Sequence, residues 1–144
     1  PLLLHDPVRG VAGAVHCGWR SSVGDIPAEA LRLMRGLGSR PGDVRAAIGP
    51  AIGACCFETD ADVPEAVEHW LGPDAARSFI KNKAGSAKFL VDLRGALRCR
   101  LIQLGLEPGC IDVSDECTMC CHEKYWSHRY TRGERGSQCA CICL

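Results

Sequence analysis

The spacing of apolar positions divides the chain into short elements. Leu2-Leu3-Leu4 and the run Val11-Ala12-Gly13-Ala14-Val15 read as two strands of a hairpin, with Asp6-Pro7-Val8-Arg9-Gly10 as the turn between them. Ile26, Ala30, Leu31, Met34 and Leu37 then recur at helical spacing. Pro27 is compatible with that helix only in its first turn, so the start falls near Asp25, and Gly36 and Gly38 end it. Residues 45–48 form a short strand, Gly49, Pro50 and Gly53 force a tight path, and 55–58 form a second short strand. Asp60 or Asp62 caps a helix carrying Val63, Val67, Trp70 and Leu71, and residues 74–80 add a further helical turn. Residues 81–88 are polar around a glycine and read as a loop; 89–91 is a strand. Asp92 caps a helix with Leu93, Ala96, Leu97, Leu101 and Leu104 on one face and Arg94, Arg98 and Arg100 outward, stopped by Gly105 and Pro108. Residues 111–113 and 138–144 complete the strands. Strands and helices alternate without clean βαβ units, which predicts an α+β fold: a mixed β-sheet sandwich with packed helices.

Composition suits one domain over residues 1–144, with 17 basic and 17 acidic residues and no net charge. Nothing in that balance argues for nucleic acid or an anionic membrane, and no apolar stretch is long enough to span a bilayer. No signal-peptide pattern is present, which points to the cytoplasm, although the chain begins at Pro1. Eleven cysteines is a high count. The adjacent pairs Cys55-Cys56 and Cys120-Cys121 suit disulfides poorly, and Cys139, Cys141 and Cys143 would share one strand face. Free thiols acting as small buried hydrophobes in a reducing compartment are therefore expected.

The candidate chemistry lies where the Val11 strand ends, at His16-Cys17-Gly18-Trp19-Arg20-Ser21. Open α/β sheets place ligands at such strand-to-helix junctions. A lone histidine there is more often structural, but this one shares a turn with Gly, Trp and Arg. A guanidinium at that point suits a bound anion such as phosphate, to which it offers two parallel donors.

That motif resembles the His-Ala-Gly-Trp-Arg-Gly motif of the YfiH-like family, also called laccase-domain or polyphenol-oxidase-like. Ala47-Ile48-Gly49-Pro50-Ala51-Ile52-Gly53-Ala54-Cys55-Cys56-Phe57-Glu58 resembles its Ile-Gly-Pro block. Cys117-Thr118-Met119-Cys120-Cys121-His122, followed by Tyr125-Trp126-Ser127-His128-Arg129, resembles its C-terminal block. The blocks occur in the family's order and cover essentially the whole chain.

The resemblance implies a zinc-dependent purine nucleoside phosphorylase acting on adenosine, inosine and methylthioadenosine with phosphate, with adenosine deaminase activity. His16 would be one of three zinc ligands, and Arg20 and Arg129 would hold phosphate. The other two ligands lie in Val-His-Gly and Ala-Asp-Cys motifs absent from this sequence. The chain thus resembles the C-terminal part of a larger domain, expected to bind zinc weakly alone. An apolar face is expected to be exposed around Leu2, Leu4, Val11 and Val15. Cys17 replaces the family's alanine; a thiol there either supplements the metal site or oxidises.

Two other readings remain open. Cys117 and Cys120 with Cys139 and Cys141, near His122 and His128, have roughly the separation of a four-cysteine structural zinc module. The family's older label implies a copper-dependent polyphenol oxidase, for which five scattered histidines are a poor supply.

Overall fold

The structure is a computed structural model and describes residues 1–134 and 136–144. Strands β1 (Leu2–Asp6) and β2 (Val11–Val15) form the expected hairpin. Its turn is held by the Asp6 carboxylate, which accepts from the backbone N–H of Val8 at 2.9 Å and of Arg9 at 3.0 Å. β3 (Arg45–Ile48) pairs antiparallel with β1, and β7 (Ile111–Val113) pairs parallel with β3, in the order β2-β1-β3-β7. A second, antiparallel sheet has the order β4-β6-β5, from β4 (Glu58–Thr59), β5 (Ile80–Asn82) and β6 (Phe89–Val91). Two sheets with packed helices agree with the predicted mixed α+β class.

Alternation decides which face of the larger sheet is inside. Leu2 and Leu4 of β1 and Ala46 and Ile48 of β3 are cross-strand partners turned to one core with Leu31, Met34, Val67, Val91, Leu97 and Leu101. This corrects the expectation of an exposed face at Leu2 and Leu4: both are wholly buried, and Val11 and Val15 are half-buried against the core. Strand period places Leu3, Ala14 and Ala47 on the opposite face instead.

The helices that cover the core are α2 (Ile26–Gly36), α3 (Asp62–Leu71) and α5 (Leu93–Gln103). Asp92 caps α5 as expected, accepting from Gly95 N–H at 3.0 Å. Three predicted boundaries change. Of residues 55–58 only Glu58 is in a strand, the two-residue β4; β5 takes Ile80 from the expected helical turn and residues 81–82 from the expected loop; and the rest of that turn falls in α4 (Pro73–Ala76) and a 3-10 turn at Arg77–Phe79. Neither Asp60 nor Asp62 caps α3, whose N-cap is Ala61. Residues 138–144 have no strand pairing among the described residues, so Cys139, Cys141 and Cys143 share no strand face there.

A short helix absent from the sequence reading, α1 (Trp19–Val23), precedes α2. The break between them is Asp25, a non-glycine at φ 63°. Its carboxylate accepts from Trp70 Nε1 of α3 and Arg100 Nε of α5, each at 2.9 Å, and from Arg100 Nη2. Arg100 and Arg94, expected to face solvent, are therefore tethers. Arg94 donates to the carbonyls of Ser114 and Glu116 after β7. No helix among the described residues is long and apolar enough to cross a membrane.

Candidate functional site

Strand direction creates the site. β2 and β3 both run antiparallel to β1, and β7 runs parallel to β3, so the C-terminal ends of β2, β3 and β7 lie at one edge of the sheet. The loops that leave those ends begin at His16, Gly49 and Ser114. The last two stay together: Ser114 N–H donates to Ile48 O at 2.8 Å, Thr118 N–H donates to Ala51 O at 3.1 Å, and Ala51 and Cys117 form a parallel bridge. With the segment Tyr125–Arg129 they enclose a cleft of about 740 Å³ at the place where open sheets bind ligands.

His16 lines this cleft directly beyond β2 and is exposed. Neither ring nitrogen has a hydrogen-bond partner among the described residues; only its backbone carbonyl is engaged, by the Ser21 hydroxyl at 3.2 Å. Gly18 makes room for the ring, since a Cβ there would lie 3.3 Å from His16 Nε2. Gly49 has a similar role toward Pro1: its N–H donates to Pro1 O at 2.9 Å, and a Cβ would meet Pro1 Cγ at 2.7 Å. Cys17 also lines the cleft, and burial pushes its thiol up to about 11, so it is protonated at neutral pH.

The two arginines are placed differently. Arg129 lines the cleft, donates to Glu58 O at 2.9 Å and lies over the Phe57 ring at 5.8 Å. Arg20 is exposed on α1 beside the lining residue Trp19, its guanidinium 4.3 Å from that ring's centroid. The segment carrying Arg129 is set by Ser127, which is buried and whose hydroxyl caps α6 (His128–Thr131) through the Tyr130 N–H. Glu116 anchors the preceding turn by accepting from Lys124 and the Tyr125 hydroxyl; those two partners hold its carboxyl below the usual range. Thr118 and Ser127 stand in the C-terminal block but were given no role of their own, and Glu116 was missed, because isolated polar residues in loops carry no periodic signal.

The cysteines also differ from expectation. All eleven are free, but among them only Cys117 is buried, so most do not act as core hydrophobes. Cys139 and Cys141 are exposed and do not join Cys117 and Cys120, which removes the predicted quartet. Their place is taken by Cys55 and Cys56: the four Sγ atoms of Cys55, Cys56, Cys117 and Cys120 lie within 4.8 Å of one another. Cys55 and Cys56 stand 3.6 and 3.5 Å from Cys120, and Gly53 N–H donates to Cys117 Sγ at 3.2 Å. Burial pushes the Cys117 thiol up, but backbone N–H groups of Gly53, Cys120 and Met119 prevail and bring it to about 6. Burial and the shared hydrogen bond with Cys120 push Cys56 strongly upward. No group of three His, Cys, Asp or Glu side chains converges on His16 among the described residues.

Known proteins resemble this chain in sequence and fold. The purine nucleoside phosphorylase YlmD of Geobacillus stearothermophilus is 33% identical over 143 residues, which cover 99% of this chain and 52% of that protein. An adenosine deaminase from an unknown prokaryotic organism is 33% identical over 131 residues, covering 90% of this chain and 48% of it. The crystal structure of Bacillus licheniformis hypothetical protein YfiH superimposes with a TM-score of 0.85 at 33% identity, over 92% of this chain and 49% of that one. The chain thus spans about half the length of the curated relatives it matches. The family model described as multi-copper polyphenol oxidoreductase laccase matches residues 1–144 in full, and the chain belongs to that family, whose relatives include proteins named purine nucleoside phosphorylase.

Proposed function

We propose that this chain is the C-terminal part of a zinc-dependent purine nucleoside phosphorylase acting in the cytoplasm on adenosine, inosine and methylthioadenosine, with adenosine deamination as a second activity. The observation that carries the reading is the cleft at the ends of β2, β3 and β7, in a chain about one third identical to relatives of that name. Its walls combine apolar and aromatic surface from Trp19, Tyr125 and Trp126 with the cationic Arg129, which suits a purine joined to a polar sugar beside an anion.

In phosphorolysis a phosphate oxygen bonds to the ribose C1′ as the bond from C1′ to the purine nitrogen breaks, and the purine leaves with the electron pair. Positive charge develops on the sugar, and a phosphate held beneath it stabilises that charge. Arg129 holds the phosphate in this reading, and Arg20 contributes from beside Trp19. His16 is one ligand of the catalytic metal. The described residues supply no complete centre around it, so they alone do not fit a bound zinc. The family's copper label gains no support from a set of five histidines of which none joins another in a ligand group among the described residues.

The test uses the complete protein from the same source beside the 144-residue chain. Expected for the complete protein is release of hypoxanthine from inosine that depends on phosphate. Arg129→Ala should raise the KM for phosphate at least tenfold, and His16→Ala should abolish turnover. The short chain should be nearly inactive. Adenosine converted to inosine without phosphate measures the deaminase activity. No phosphate-dependent base release from any of the three nucleosides, with zinc supplied, refutes the reading.

A further inference from the structure

We propose that Cys55, Cys56, Cys117 and Cys120 form a structural tetrathiolate site for one zinc ion, separate from the site to which His16 contributes. Four observations carry it.

The first is geometric. A tetrahedral zinc with bonds of about 2.3 Å to sulfur requires sulfurs about 3.8 Å apart. Cys120 Sγ lies 3.5 Å from Cys56 Sγ and 3.6 Å from Cys55 Sγ, and no pair of the four exceeds 4.8 Å. The second is exposure. Cys55 and Cys120 are exposed, Cys56 is partly so and Cys117 is buried. Packing of apolar thiols does not explain sulfurs that converge while two of their residues face solvent.

The third is local construction. Cys117-x-x-Cys120 closes a turn in which Cys121 N–H donates to Cys117 O at 2.9 Å, and the Cys55-Cys56 segment closes another in which Cys56 and Phe57 N–H both donate to Gly53 O at 2.9 Å. The Gly53 N–H points to the Cys117 sulfur, as backbone donors do around metal-bound thiolates. A side chain at Gly53 would enter the cluster: its Cβ would lie 3.2 Å from Cys117 Cβ and 3.4 Å from Cys55 Sγ. The fourth is charge. Four thiolates around a divalent ion leave two negative charges, and the Arg94 guanidinium flanks the same glycine, 3.1 Å from that Cβ position.

Binding forms a zinc–sulfur bond at each cysteine and releases one proton to solvent for every sulfur that was a thiol. The ion joins the loop after β3 to the loop after β7. These loops carry Gly49 to Ile52, Phe57 and Thr118 of the cleft wall, so the metal braces the cleft without touching its contents.

The experiment measures metal content in the 144-residue chain purified under reducing conditions. The expected result is about one zinc per chain, unchanged in His16→Ala and in Cys141→Ser, and reduced at least tenfold in Cys117→Ser and Cys55→Ser. Because the serine variants can fail to fold, the unaltered chain is also stripped with a chelator and titrated with cobalt(II). Sulfur-to-cobalt charge transfer and intense visible bands of a tetrahedral tetrathiolate are expected, together with protection of cysteines from alkylation that the chelator removes. Absence of both zinc and the cobalt spectrum overturns the proposal. So do zinc that disappears with His16→Ala, iron in place of zinc, and a disulfide between these cysteines in the reduced preparation.

Discussion

Asp25 allows a quantitative test of how the α1–α2 junction is held. Its side chain retains 31% of its exposure and that of Arg100 24%, so water replaces part of what is lost when either is removed. A hydrogen bond to a charged group contributes about 1.5–3 kcal/mol, and three donors converge here without adding independently. Asp25→Gly keeps the left-handed backbone and loses all three bonds, at a cost of about 3 kcal/mol. Asp25→Ala loses them too and costs about 1 kcal/mol more, because alanine tolerates φ 63° less well than aspartate does. Asp25→Asn tolerates the backbone and keeps one acceptor, at about 1–2 kcal/mol.

For a chain of this size each kcal/mol moves Tm by about 3 °C, so the alanine variant should melt about 12 °C below the parent and the asparagine variant about 5 °C below it. Urea unfolding followed by tryptophan fluorescence measures the same order, with Trp70 itself a reporter. The pH dependence has a definite sign. The guanidinium of Arg100, with Trp70 adding, holds the Asp25 carboxyl below the ordinary aspartate value of 3.8. A depressed folded pKa contributes stability that is complete above 3.8 and is lost as pH falls through the lower folded value. The gap between parent and Asp25→Asn should therefore be constant near neutrality and shrink in acid. Equal stability of parent, glycine and alanine variants, or a gap that does not change in acid, refutes the reasoning.

Other outcomes follow from single contacts. Leu4→Ala empties a wholly buried position and should cost about 3 kcal/mol in urea unfolding. Gly95→Ala brings a Cβ to 2.8 Å from the Phe79 ring and 2.5 Å from the Asp92 cap, and should lower stability by about 2 kcal/mol in calorimetry. Gly53→Ala should cost about 1–3 kcal/mol through Arg94 and Cys117, and should weaken zinc retention while leaving the fold by circular dichroism intact. Gly18→Ala crowds His16 Nε2 at 3.3 Å; in the complete protein it should reduce turnover by about tenfold with little change in Tm.

The sequence by itself determined the elements whose signal is local. The Asp6 turn between β1 and β2, Pro27 in the first turn of α2 and the Asp92 cap of α5 depend on neighbours within four residues, and each was legible. It also marked the His16 motif at a strand end. Tertiary structure decided what depends on distant partners. Strand pairing made β5 from a polar stretch and denied residues 138–144 a strand, because a strand exists only where a partner offers its ladder. Arg94 and Arg100 had the spacing of a solvent face, yet Ser114, Glu116 and Asp25 gave them acceptors at 20 to 75 residues' separation. The cysteines show the division most plainly. Spacing identified Cys117 and Cys120 as half of a possible quartet and chose the wrong other half. Cys55 and Cys56 stand more than sixty residues away, and the parallel register of β3 with β7 brings them together.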